Sequence, residues 1–165
     1  MIRAFSIALL VSGLAASSVF AQDAGHGDEE HHVFEANGIE IVHPWARAAA
    51  TGEETFVFFE LHNEGAADTL LGASSLAAQD VHIVGLTMST DGTGVQEVGE
   101  IDIPEGEFAF DPGGLALELH GLTAALEQGG HFDLVLNFAN AGPVDIEVAV
   151  EAANANQHSH AGHSH

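Results

Sequence analysis

From residue 38 to residue 150 the chain is built of short apolar segments that alternate with period two and are cut at short intervals by turn residues. Gly38-Ile39-Glu40-Ile41-Val42 sets apolar against polar positions. Residues 55–61 are rich in aromatic and β-branched side chains and close on Asn63-Glu64-Gly65. Further strands are predicted over 69–72, 81–86, 95–98, 108–110, 115–120, 132–138 and 144–150. Asp91-Gly92, Pro104-Glu105-Gly106, Asp111-Pro112-Gly113-Gly114, Gln128-Gly129-Gly130 and Asn140-Ala141-Gly142-Pro143 separate them as turns. About nine short strands at this spacing predict an all-β domain, an antiparallel β-sandwich. Only 122–128 competes as a helix, over a turn or two.

The alternation fails at both ends. Residues 1–21 carry Arg3, an apolar run over 4–16 and small residues ending Val19-Phe20-Ala21, the arrangement of a secretory signal peptide cleaved before Gln22. That run is too short for a good membrane span, and no later segment offers one. Residues 22–36 are polar and acidic and contain His26, His31 and His32; residues 152–165 hold His158, His160, His163 and His165 among Ala, Asn, Ser and Gly. Neither stretch can bury an apolar face, so both are predicted to be disordered, flanking a β-domain over 37–151. Their imidazoles are expected to stay in water as candidate metal ligands, suited to Cu²⁺, Zn²⁺ or Ni²⁺. With a mature start at Gln22, His26 stands fifth, so the amino-terminal Cu²⁺ motif that needs a third-position histidine is not formed.

Charge narrows the partners. The chain has 25 Asp and Glu against two basic residues, Arg3 and Arg47, and its formal charge of −23 becomes −24 once Arg3 leaves with the signal. Nucleic acid is excluded because phosphate contacts need cations, and an anionic membrane surface is disfavoured on the same ground. The acidity serves solubility, and the same field attracts cations; neither reading identifies a metal. With no cysteine, an exported fold does not rest on disulfides and offers no thiolate. A bacterial periplasm fits these features.

Catalytic signatures are missing: there is no Gly-x-Ser-x-Gly elbow, phosphate loop or dinucleotide fingerprint, and the glycines fall in β-turns. His43-Pro44-Trp45-Ala46-Arg47-Ala48, Asn63-Glu64-Gly65 and Asp68-Thr69-Leu70-Leu71-Gly72-Ala73-Ser74-Ser75 follow one another in order. Ile101-Asp102-Ile103-Pro104-Glu105-Gly106, Asp111-Pro112-Gly113-Gly114 and Gly121-Leu122 come after them. With these landmarks the chain resembles the PCu(A)C periplasmic copper chaperones over about the whole β-domain. The resemblance implies a cupredoxin-like β-sandwich that supplies copper, typically Cu(I), to the CuA centre of cytochrome oxidase, with oxidase assembly proteins as partners.

It also implies a ligand set of two His and two Met. Here Val84 stands where the first His closes its strand, Gln96 follows Gly94-Val95 where a Met is expected, and Ala116 and Glu118 occupy the final His-x-Met pair. The usual Cu(I) set is therefore not present in the sequence. On the last of these strands Ala116, Glu118 and His120 share a face, and Met88 follows the first. A Glu118–His120 site would favour Zn²⁺ or Cu²⁺ over Cu(I), while the alternative is a solvated acid beside a hydrogen-bonded histidine. His82 is read as pointing away from the Val84 position. His43, His62 and His131 are expected to serve polar packing, Trp45 to anchor between sheets, and Arg47 to pair with a carboxylate.

The expectation is an exported, non-enzymatic metal-binding protein that takes copper mainly through its His-rich ends. Zinc is the alternative metal, and a metal-free interaction module on the same fold is the alternative function.

Overall fold

The computed structural model describes residues 33–89 and 92–158. Eleven strands follow in chain order: β1 (Val33–Ala36), β2 (Ile39–Arg47), β3 (Thr55–Asn63), β4 (Asp68–Ser74), β5 (Asp80–Ser89), β6 (Gly92–Glu97), β7 (Ile101–Ile103), β8 (Gly106–Phe110), β9 (Leu115–His120), β10 (His131–Phe138) and β11 (Gly142–Glu151). The all-β expectation holds, with more strands than the turn signals suggested. The 122–128 segment is not helical. It lies across the domain, where Ala49 and Leu126 exchange both backbone hydrogen bonds.

The strands join in one hydrogen-bonded sheet in the order β6-β5-β9-β8-β3-β2-β11-β10-β4-β7, with β1 on β2 and a second pairing of β9 with β3. The sheet curls, and residues such as Ile41, Leu61, Leu117, Leu134 and Ile146 form one core inside it. Pairing is antiparallel except at two places, β2 with β11 and β8 with β9, which run parallel. In β11 the alternation is plain: Val144, Ile146 and Val148 are buried while Asp145 and Glu147 face solvent.

Two stretches expected to be disordered are ordered in part. Val33–Ala36, assigned to the 22–36 leader from sequence, forms β1 and pairs with Ile39 to Val42. The turn between them is Asn37-Gly38, both with positive φ (51° and 84°), as a two-residue hairpin of the primed type requires. Residues 152–158 also pack on the domain, as described below.

β2 carries a one-residue bulge that redirects its second half. Ile39 and Ile41 enter the core, and with strict alternation Trp45 would follow them. Instead the register against β3 shifts between Val42 and Trp45, and His43 takes a φ of 49° just before Pro44. Proline supplies no ladder N–H and is tolerated at such a bulge. Past it, Ala46 joins the core, while Trp45 turns to the outer face with Phe58.

Asp68 ties the start of β4 to the turn between β10 and β11. Its buried carboxylate accepts hydrogen bonds from the N–H of Thr69 (2.7 Å), Asn140 (2.9 Å) and Ala141 (2.8 Å), and from the Asn140 side-chain amide (3.1 Å). Burial pushes the carboxyl up, and these four donors outweigh it and hold the group below its ordinary value. Asp68→Ala strands buried donors and is expected to cost about 3 kcal/mol in urea unfolding at pH 7. A folded pKa below the unfolded one contributes stability above the unfolded value of about 3.9, lost as pH falls through the folded value. The gap between wild type and variant should therefore be level from neutrality to about pH 5 and narrow in stronger acid.

Candidate metal centre

β9 lies between β3 and β5, and its two faces do different work. Leu117 and Leu119 enter the core, while Ala116, Glu118 and His120 point to the other side. Register sets their neighbours. Glu118 stands level with Phe56 on β3 and His82 on β5, Ala116 with Val84, and His120 with Asp80. Thr55 pairs with Leu119, so Glu54, one residue earlier, falls beside His120.

The polar rungs of this face come together. His120 Nε2 lies 2.9 Å from Glu118 Oε2, and its Nδ1 lies 3.2 Å from Glu54 Oε1. One ligand atom each from Glu54, Glu118 and His120 lies within 4.8 Å of the others, the one such group among the described residues. His82 meets His120 edge to face, ring centroids 5.1 Å apart, and its Nδ1 is 3.3 Å from Glu97 Oε1. His82 thus faces the same side as Val84, against the reading from sequence. Residues two apart on a regular strand share a face, and β5 is regular here. Sequence reasoning found Glu118 and His120 but missed Glu54 and His82; the parity of 82 and 84 was the available signal for the second.

Next along the same face the chemistry turns apolar. Val84 and Ala116, directly opposite one another, pack with Trp45, Phe58 and Leu86 in a second hydrophobic cluster. Val84 is 1% exposed and Ala116 fully buried. Gln96 pairs with Gly85 on β5, so it belongs to the opposite face from Val84 and Ala116. The Met88 side chain lies outside the description.

Arg47 has a different role from the expected carboxylate pair. Its Nε donates to the carbonyl oxygen of Ala155 at 2.8 Å, and its guanidinium lies over the rings of Phe58 (5.2 Å) and Trp45 (5.9 Å). Burial lowers its pKa. This contact draws 152–158 back over the outer cluster, where Ala155 packs. His158 is consequently buried at 2% exposure, stacked on His43 with centroids 5.6 Å apart, and its Nε2 lies 3.6 Å from Glu151. It is not the water-exposed tail imidazole expected from sequence. His26, His31, His32, His160, His163 and His165 lie outside the described residues. His62 sits 3.9 Å from Glu40, an ordinary polar contact.

His120 is raised above its ordinary 6.5, first by the hydrogen bond its Nε2–H donates to the Glu118 carboxylate, with burial opposing and the charges of Glu118, Glu54 and Asp80 adding. A raised histidine contributes stability below its unfolded value that is lost as pH rises through the folded one. In metal-free protein the His120 Cε1 proton should therefore titrate above 6.5, and Glu118→Gln should lower the midpoint. An unchanged midpoint in the variant would assign the shift to another group.

The sequence profile of the LpqE-like family, described as "Putative lipoprotein LpqE-like", matches residues 39–150. "Putative lipoprotein Lxx21020" of Leifsonia xyli subsp. xyli is 26% identical over 154 residues, spanning 92% of this chain and 90% of its own. Among solved structures, the copper-bound PCuAC domain from PmoF2 is 27% identical with a TM-score of 0.62, over 73% of this chain and 98% of that domain. The apo form of that domain gives 0.64 at 27% identity, over 76% and 99%. Copper(I)-bound DR1885 of Deinococcus radiodurans, at 20% identity and TM-score 0.55 over 71% of this chain and 82% of its own, shares the fold. The fold is thus cupredoxin-like, as the resemblance implied. With the profile spanning most of its length, the chain belongs to the LpqE-like family.

Proposed function

We propose that this protein binds copper outside the cytoplasm and passes it on as a chaperone does, holding the ion with imidazole donors rather than in a His/Met pocket. One observation carries the second half of this reading. Two hydrocarbon side chains, Val84 and Ala116, pack face to face under Trp45 at positions where the PCu(A)C resemblance calls for histidines. Beyond Met1 the chain has a single methionine, Met88, so a thioether pair for Cu(I) is lacking as well. The imidazoles left for the task are His160, His163 and His165 in the tail and His26, His31 and His32 in the leader. His158 is instead buried against the His43 ring.

Export fits the reading. Residues 1–21 act as the signal, cleavage before Gln22 leaves the leader attached to the β-domain, and similarity to lipoproteins supports the same compartment. Cytochrome oxidase assembly proteins are the recipients in this proposal. Zinc is the second metal, favoured by the carboxylates beside His120.

Calorimetric titration of the full chain and of a chain ending at His158, with Cu²⁺ and Zn²⁺ in turn, tests the tail. The truncated chain should lose at least one Cu²⁺ equivalent, and the tail-bound ion should be released as the imidazoles protonate below about pH 6. Equal stoichiometry and affinity in the two chains would remove the tail from the mechanism, and no binding by either would make the protein a docking module.

A further inference from the structure

We infer that Glu54, Glu118 and His120 form a divalent-cation site on the folded domain, distinct from the His-rich ends and selective for Zn²⁺ or Cu²⁺ over Cu(I). This goes beyond the tail reading and stands without it.

Geometry is the first support. Glu118 and His120 come from β9 and Glu54 from the residue just before β3, brought alongside by the Thr55–Leu119 pairing, and their ligand atoms already lie within 4.8 Å of one another. A tetrahedral ion with bonds of about 2.0–2.1 Å spaces its donors roughly 3.4 Å apart. The two carboxylates contact opposite nitrogens of the ring, so side-chain rotation, chiefly of exposed Glu54, has to bring the three donors to one ion, and it leaves the strand pairing untouched. His82, in edge contact with His120 and steadied through Nδ1 by Glu97, is the nearest further imidazole for a fourth position.

Charge is the second, independent support. Glu118 is 7% exposed, and among the described residues its carboxylate meets only His120 Nε2. A buried carboxylate needs a compensating charge, which either a protonated His120 or a cation bound between the two side chains supplies. The domain's one permanent cation, Arg47, is committed to the Ala155 carbonyl and the Trp45 and Phe58 rings. A divalent ion held by two carboxylates and a neutral imidazole makes a site of net charge zero. Oxygen and imidazole donors without thioether select borderline divalent metals, and a site of this kind has little to offer Cu(I).

The test uses the full chain labelled with ¹⁵N and titrated with Zn²⁺, watching each histidine side chain. The His120 imidazole nitrogens should shift at or below one equivalent, whether or not the tail histidines also respond. Glu118→Gln and Glu54→Gln, each checked for an intact backbone amide spectrum, should weaken that response by at least about 10–100-fold, the loss that removing an outer partner of a ligand alone already causes. Cu(I) under reducing conditions should leave His120 unmoved at the same concentration. The inference fails if His120 stays fixed while tail histidines shift, if the two variants respond like wild type, or if Cu(I) competes with Zn²⁺ at His120. A His120 response with silent tail histidines would remove zinc from the tail reading and leave this inference standing.

Discussion

Backbone hydrogen bonds hold β9 between β3 and β5 with Glu118 level with Phe56 on one side and His82 on the other. A slip of one residue would send Glu118 and His120 into the core and bring Leu117 and Leu119 out to solvent. Burial of those two leucines, each fully enclosed, is what forbids it. The register fixed by the core therefore also fixes which polar groups meet on the far side. The bulge at His43-Pro44 completes the arrangement, because without it Trp45 would compete for the core and the outer cluster would lose its largest member.

Much of this frame is legible in the sequence, and the rest fails for identifiable physical reasons. Alternation in Val144-Asp145-Ile146-Glu147-Val148 marks β11 because one of its faces is buried and the other wet. β1 was hidden because Val33-Phe34-Glu35-Ala36 is short and follows an acidic stretch. The Asn37-Gly38 pair beyond it was the hairpin signal that would have revealed it. Parallel pairing of β2 with β11 joins distant parts of the chain and leaves no local trace.

The site divides in the same way. Glu118 and His120 are two apart on one strand, so their shared face can be read from spacing. Glu54 reaches them only through the pairing of Thr55 with Leu119, a contact across 64 residues of sequence that no local pattern encodes. His158 misleads for the opposite reason. Its neighbours in sequence are those of a solvated tail, and its burial comes from groups distant in the chain, the His43 ring and the Arg47–Ala155 hydrogen bond among them.

The division of labour along β9 also bears on how such a domain diverges. The side chains that enter the core and those on the outer face alternate on one strand, so a substitution at 118 or 120 leaves the packing of 117 and 119 intact. Donor atoms on the outer face are free to drift from soft to hard while the folded state is conserved beneath them. One scaffold can then be re-specified for another oxidation state or another metal by a few point mutations. That independence is compatible with a common architecture kept at 27% identity to a copper-bound relative.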